Sequence, residues 1–328
     1  MSRIFAYITH QGGVADDTAA ELLGAAKKID PAASPVAVVT GWGAELDAVC
    51  ESLCASYGEV WKVSHEALAY PNAELVRKAL ESVLPHHSVV LVPHSHFGVD
   101  LSPGLSIKLS AVFVSDVLDI EGIAGTSLKV VRQEFGGQVS THVRCDISSG
   151  AVLNIRPGSF KPAPGAPAGG RVVDKSQQVG VPVAKRRYIE TIAAEKGDID
   201  ITRYKALVSI GRGIQERENV AIAQELADAM GAAVSCSRPV VDAKWLDKSR
   251  QVGSSGQTVK PKVYLACGIS GSFQHLAGLK GSPFIVAINK NPKAPIFRVA
   301  DIGIVDDVLE FLPELTNKIR DEKSIPVK

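Results

Sequence analysis

The chain has 328 residues, enough for two domains of ordinary size, and its 45% hydrophobic and 22% charged residues match a soluble globular protein. A formal net charge of +1, with no basic stripe and no acidic tail, argues against nucleic acid or an anionic membrane as partner. No apolar run approaches the roughly 18 residues of a membrane span, and the opening MSRIFAYITHQGG enters an apolar strand rather than a leader, so a cytoplasmic protein is expected.

The first half alternates short β-rich runs with helical ones. Strands are expected over 3–9, 35–40, 59–64, 88–92 and 111–117, with helices over 15–29, 44–56, 72–84 and 100–108 between them. Such alternation implies a parallel sheet covered on both faces. The runs 128–135, 138–144 and 151–155 have strand composition without intervening helices, and Gly136-Gly137 is a hairpin signal, so an antiparallel extension of that sheet is expected. The Pro/Gly-rich run 157–170 supports neither helix nor central strand and reads as a connecting segment. After a mixed stretch over 180–203 the alternation restarts. Strands are expected over 205–210, 233–236, 263–267, 283–288 and 302–305, with helices over 219–230 and from Asp307 to about 319. The reading is therefore an α/β chain: an N-terminal parallel-sheet domain with an antiparallel extension over 1–203, and a C-terminal doubly wound parallel-sheet domain over 204–328.

Five cysteines, Cys50, Cys54, Cys145, Cys236 and Cys267, form no CxxC pair, and Cys50 and Cys54 fit two small buried residues on one helix. His86, His87, His94 and His96 cluster around one strand, but without the closed ligand set of a metal site. There is no P-loop, no HExxH and no Gly-x-Ser-x-Gly elbow. Nothing in these patterns looks like a self-sufficient catalytic centre.

The informative feature lies in the second half, where five expected strands end in glycine or small polar and charged residues. Open α/β sheets bind ligands beyond the carboxyl ends of their strands. Arg212, Ser237, Arg238, Ser270, Asn289 and Asp307 would form one polar rim there. Gly268, Ser270, Gly271 and Ser272 lie between a strand and a helix, where backbone N–H groups suit a phosphate. His275 follows one turn later and either packs or reaches the rest of a nucleotide. Gln251, Val252, Gly253, Ser254 and Ser255 form a second small-residue loop able to clamp a planar ring. Asp307 suits either a ribose hydroxyl or the cap of the last helix.

These pieces resemble the electron transfer flavoprotein α-subunit family. The resemblance is carried by GRG at 211–213, SRPVVDA at 237–243, QVGSSGQTVKPKVY at 251–264, GISGSFQHLAG at 268–278, IVAINKNPKAPIF at 285–297 and VADIGIVDD at 299–307, in that order and spacing. FGVDLSPGLSIKL, VSDVLDIE and IRPGSFKP extend it more loosely through the first half. The resemblance implies one FAD in the C-terminal domain and an N-terminal domain that contacts a β subunit. It places Arg212, Ser237 and Arg238 at the cofactor, and Gln251, Val252, Gly253, Ser254 and Ser255 against the isoalloxazine. It places Gly268, Ser270, Gly271, Ser272, Phe273, Gln274 and His275 along the FAD chain, with His275 at the pyrimidine edge of the ring. Asn289, Asp307 and Val308 would hold the adenosine end. Many members read GGRG where this chain has Ile210 before Gly211, and QVGQTG where it has QVGSSG.

The family role implied is electron transfer in an αβ heterodimer, with acyl-CoA dehydrogenase-type flavoproteins as partners and a membrane electron transfer flavoprotein:quinone oxidoreductase as a further one. The alternative is a subunit of an NADH-dependent electron-bifurcating complex. The β subunit would carry AMP in the first case and a second FAD in the second.

Overall fold

The computed structural model describes residues 3–135, 139–163, 169–180, 184–190, 199–281 and 283–324. The Gly136-Gly137 hairpin signal and parts of the two connecting stretches therefore lie outside the described residues. The chain divides into two compact units, Met1–Glu190 and Thr191–Lys328.

The first unit opens with β1 (Ile4–Tyr7), a short hairpin β2 (His10–Gln11) and β3 (Val14–Ala15), and α1 (Thr18–Ile29). Gly12 and Gly13 both take positive φ, which is what the two central residues of this hairpin turn require. There follow β4 (Val36–Gly41), α2 (Gly43–Leu53), β5 (Glu59–Ser64), α3 (Ala73–Val83), β6 (Val89–Pro93) and α4 (His96–Lys108). Then come β7 (Val112–Ala124), β8 (Ser127–Glu134), β9 (Val139–Asp146), β10 (Ala151–Ile155) and β11 (Arg171–Asp174).

These strands form a nine-stranded sheet in the order β11-β5-β4-β1-β6-β10-β7-β8-β9. Pairing is parallel from β11 through β7 and antiparallel from β7 to β9. Every residue of β4, β6 and β10 is buried, as expected of strands covered by helices on both faces. α1 buries Ala19, Leu22, Leu23 and Ala26, one stripe of a 3.6-residue period. α3 starts at Asn72, whose side chain accepts from the Glu74 N–H at 3.0 Å.

The antiparallel extension consists of β8 and β9 only. The run 151–155 does not belong to it: β10 inserts in parallel between β6 and β7. The reason is in its composition. AVLNI is apolar on both faces, and its one polar side chain, Asn154, is buried and donates to Ser102 Oγ at 2.8 Å, while its Oδ1 finds no partner among the described residues. A strand at the extension's rim would expose one face, as β9 does. β11 is a further difference, since no strand is expected from the sequence around 171–174.

The second unit contains β12 (Ala206–Ile210), α5 (Val220–Met230), β13 (Ala233–Cys236), α6 (Arg238–Asp242) and β14 (Val263–Cys267). It continues with α7 (Phe273–Leu276), β15 (Phe284–Ile288), β16 (Ile302–Ile304) and α8 (Val308–Ser324). All strands are parallel, in the order β13-β12-β14-β15-β16. Alternate residues face two separate cores. Val208, Ile210, Val234, Leu265 and Cys267 pack with α5 and α8. Leu207, Ala233, Tyr264, Ala266 and Ala287 pack on the other face with Val252, Val259 and Ile296. α5 ends at Gly231, whose left-handed φ of 68° closes the helix as its place in the sequence implies. No helix among the described residues is long and apolar enough to cross a membrane.

Candidate functional site

In the second sheet the chain order reverses beside β12: one connection runs outward to β13, the next crosses back to β14. The crevice at the carboxyl ends of β12 and β14 is thus a topological switch point, where open α/β sheets bind ligands. Here the two loops touch backbone to backbone. The Gly211 N–H donates to the Cys267 carbonyl at 2.9 Å and the Gly213 N–H to the Gly268 carbonyl at 3.1 Å. A Cβ on Gly211 would lie 2.3 Å from the Gly268 oxygen, and one on Gly268 would lie 2.6 Å from the Gly213 Cα. Gly268 also has a φ of +66°. Only glycine meets both demands.

The remaining expected residues arrange themselves along the same edge. Ser237 is buried at the end of β13, and its N–H donates to the Ile210 carbonyl at 3.0 Å. Arg238 follows at the start of α6; its side chain is 70% exposed and pairs with Asp242 at 3.4 Å. Arg212 is exposed and its side chain makes no hydrogen bond or ion pair among the described residues. The loop after α6 returns to the sheet through the Val252 N–H, which donates to the Cys236 carbonyl at 2.8 Å. Gln251 locks this loop from within: its buried amide donates to Ser255 Oγ at 2.9 Å, and its carbonyl accepts from the Gln257 N–H at 2.6 Å. Ser254 and Ser255 stand exposed at its tip, while the Val252 side chain belongs to the core.

That loop is clamped to the segment after β14. The Ser254 N–H donates to the Gln274 carbonyl at 2.7 Å. A Cβ on Gly278 would come within 2.4 Å of the Gly253 nitrogen. Ser270, Ser272, Phe273 and Gln274 are exposed, and Gly271 packs against Ile296 so closely that a Cβ would lie 2.5 Å from its nitrogen. The N–H groups of Ser270, Gly271 and Ser272 find no hydrogen-bond partner among the described residues. α7 is a single turn of four residues, so these donors belong to a loop and owe little to a helix dipole, unlike the expectation from the sequence.

Toward the far end of the sheet, Asn289 is occupied structurally. Its amide donates to the Ile269 carbonyl at 2.9 Å and its oxygen accepts from the Asn291 N–H at 2.9 Å. Asp307 caps α8, accepting from the Leu309 N–H at 3.1 Å, and pairs with Lys290 at 2.6 Å. That lysine, with the cap, holds its carboxyl below the usual range. Of the two roles open to Asp307 from the sequence, the cap is therefore filled. Val308 is buried with Leu312 in the core on the opposite sheet face from Val252 and His275, so only its backbone reaches the rim.

His275 is buried. Its Nε2 lies 2.8 Å from the Tyr264 hydroxyl, and its Nδ1 is enclosed without a partner. Burial lowers its pKa from 6.5 to about 4, with the Val252 backbone pulling weakly the other way. Sequence reasoning missed Tyr264 and Lys290. Only the period of two along β14, which puts Tyr264 on one face with Ala266, could have drawn attention to the tyrosine.

The second unit is thus a doubly wound α/β unit with a glycine-lined cradle at its switch point, the architecture of a nucleotide-cofactor carrier. Comparison with known proteins gives the family. Residues 200–280 match the electron transfer flavoprotein FAD-binding domain, and residues 4–181 match the electron transfer flavoprotein domain. Over 322 residues the chain is 37% identical to electron transfer flavoprotein subunit alpha of Methylophilus methylotrophus, covering 96% of this chain and 98% of that one. It is 32% identical over 323 residues to the subunit of the same name from Thermoanaerobacterium thermosaccharolyticum, covering 97% of each. It is also 34% identical over 250 residues to the lactate dehydrogenase (NAD(+),ferredoxin) subunit LctC of Acetobacterium woodii, covering 76% of this chain and 59% of that one. The chain belongs to the electron transfer flavoprotein α-subunit family.

The glycine contacts give a paired expectation. Gly268→Ala meets both an unfavourable φ and a backbone clash, and is expected to cost about 2–5 kcal/mol in urea unfolding of the full chain. Gly231→Ala has a similar φ of +68° but nothing within 4 Å, and is expected to cost only about 1–2 kcal/mol. Equal losses at the two sites would contradict the interlocked loops.

His275 makes stability depend on pH. Its folded pKa is depressed from 6.5 to about 4, so between those values the unfolded chain binds the extra proton. The contribution is fully present above about pH 6.5 and is lost as pH falls toward 4. Its size is about 3 kcal/mol. Denaturation midpoints at pH 7, 5.5 and 4 are expected to fall more steeply for the wild type than for His275→Gln.

Proposed function

We propose that this chain is the α subunit of an αβ electron transfer flavoprotein and holds one FAD in its second unit. The observation that carries the reading is the cradle at the ends of β12 and β14, which lies within the stretch matching the FAD-binding domain. Its residues suit that cofactor. The open N–H groups of Ser270, Gly271 and Ser272 form a concavity for a diphosphate. The glycines leave no side chain in the way, and His275 Nδ1 is a buried polar atom still lacking a partner. Arg212 and Arg238 add positive charge at the rim, and Ser254 and Ser255 add hydroxyls.

FAD, when bound, supplies the redox centre. The chain positions and tunes it. Gly268 to Ser272 anchor its phosphates. Val252 to Ser255 lie against the ring, and His275 reaches the ring's pyrimidine edge. Arg238 favours negative charge there. Asn289 and Asp307 border the adenosine end. The complex carries electrons between acyl-CoA dehydrogenase-type flavoproteins and further acceptors, such as a membrane quinone oxidoreductase, with β as its constant partner. The similarity to a subunit named for both NAD(+) and ferredoxin favours a second reading, a subunit of an NADH-dependent bifurcating complex.

Co-production with the β subunit is expected to yield a yellow 1:1 complex. One FAD with one AMP supports the simple carrier, two FADs support the bifurcating complex, and a colourless preparation would overturn both. In that complex Arg238→Ala is expected to lower the flavin's midpoint potential. The shift is about 65 mV, the lower end of what one charge-assisted hydrogen bond supplies.

A further inference from the structure

Asn289 follows β15 beside the loop that leaves β14. Its backbone N–H continues the ladder toward β16, donating to the Ile304 carbonyl at 3.1 Å. Its side chain reaches the other way, and the amide Nδ2 donates to the Ile269 carbonyl at 2.9 Å. The amide can face only one way. Its oxygen accepts from the Asn291 N–H at 2.9 Å, and only the nitrogen end of an amide can donate to a carbonyl.

A trans peptide is planar, so its C=O and its N–H point in opposite directions. With the Ile269 carbonyl held by Asn289, the N–H of the same peptide, that of Ser270, is aimed away from Asn289. The next peptide is held in the same manner. The Ile296 N–H donates to the Ser270 carbonyl at 3.0 Å, which aims the Gly271 N–H away from Ile296. Neither N–H meets an acceptor among the described residues. Gly271 takes a φ of +81° and Ser270 a negative one, the alternation of hand that turns successive N–H groups to one concave side. A hydrogen bond accepted at the carbonyl also polarises the peptide and strengthens its N–H as a donor.

We infer that Asn289 is a positioning residue for anion binding. With the Ile296 N–H it holds two successive peptides from behind, so that the Ser270 and Gly271 N–H groups are aimed at a diphosphate before one arrives. The inference rests on the reading of this edge as the FAD site. It gives the Asn289 side chain a different task from holding the adenosine end: it acts on the diphosphate through the Ile269–Ser270 peptide. Without it that peptide is free to turn and present a carbonyl oxygen, which repels an anion.

The test uses the full-length chain co-produced with its β subunit and stripped of flavin. The first probe is inorganic pyrophosphate, read on the amide ¹H–¹⁵N signals of Ser270 and Gly271. Both signals are expected to move in the wild type. Asn289→Ser keeps a hydroxyl that accepts from the Asn291 N–H but is too short to reach Ile269, so the turn survives and only the donor is lost. In that variant the same movement is expected to need about tenfold more pyrophosphate, the low end for one hydrogen bond to a charged group. The second probe is flavin affinity, read by fluorescence. Asn289→Ser and Asn289→Ala are each expected to weaken FAD and FMN alike by about tenfold and to leave riboflavin, which has no phosphate, unchanged. Weaker FAD with unchanged FMN would place the side chain at the adenosine and overturn the inference. Equal weakening of riboflavin, the mark of a general loosening, would overturn it too, as would wild-type Ser270 and Gly271 signals that ignore pyrophosphate. If the wild-type complex is purified without FAD and binds none, yet its two amides answer pyrophosphate and lose that answer in Asn289→Ser, the flavin reading alone falls.

Discussion

Backbone packs on backbone where β12 and β14 run into their loops, and the rest of the site is built around that contact. Gly211, Gly213 and Gly268 approach so closely that a methyl group on any of them would overlap main-chain atoms of its neighbour. The contact ties the Arg212 turn to the open N–H groups of Ser270 to Ser272. From there the clamp between Gly253 and Gln274 carries the order into the Gln251 loop, and Asn289 carries it to the Ile269 carbonyl on the other side. Each joint uses main-chain groups or a short amide. The edge is therefore held by geometry rather than by long flexible side chains, which is what a site needs if it must position a cofactor.

Charge and burial divide the work on the two sides of this edge. Arg212 and Arg238 sit in solvent at the rim, where water screens them. Below the rim, Tyr264, His275, Ser209 and Ser235 form a buried polar group inside an otherwise apolar core. Tyr264 and His275 hydrogen-bond to each other, while Ser209 Oγ, Ser235 Oγ and His275 Nδ1 find no partner at hydrogen-bond distance among the described residues, a costly state for buried polar atoms.

Much of this was legible in the sequence. The alternation of strands and helices in the second half translated directly into a parallel sheet, because each strand is bounded by glycine or polar residues and each helix has an apolar stripe. The GRG, QVGSSG and GISGS pieces marked the loops that the structure brings to one edge. What was not legible depended on pairing between distant segments. Nothing local in AVLNI says that β10 slides between β6 and β7; that depends on Asn154 finding Ser102 fifty-two positions away. α7 is short because the chain reaches Gly278 one turn after Phe273, and that glycine packs directly against Gly253. Tyr264 read as one more apolar residue of a strand, since its partner His275 lies eleven positions away across a turn.

The central claim is that the switch point between β12 and β14 is the cofactor seat. The most direct measurement is a crystal structure of the αβ complex with FAD bound. The account predicts the diphosphate against Ser270 to Ser272, and the ring beside Val252 to Ser255 within reach of His275 Nδ1. Cofactor density in the first unit instead, with the second unit's glycine-lined edge left bare, would contradict it.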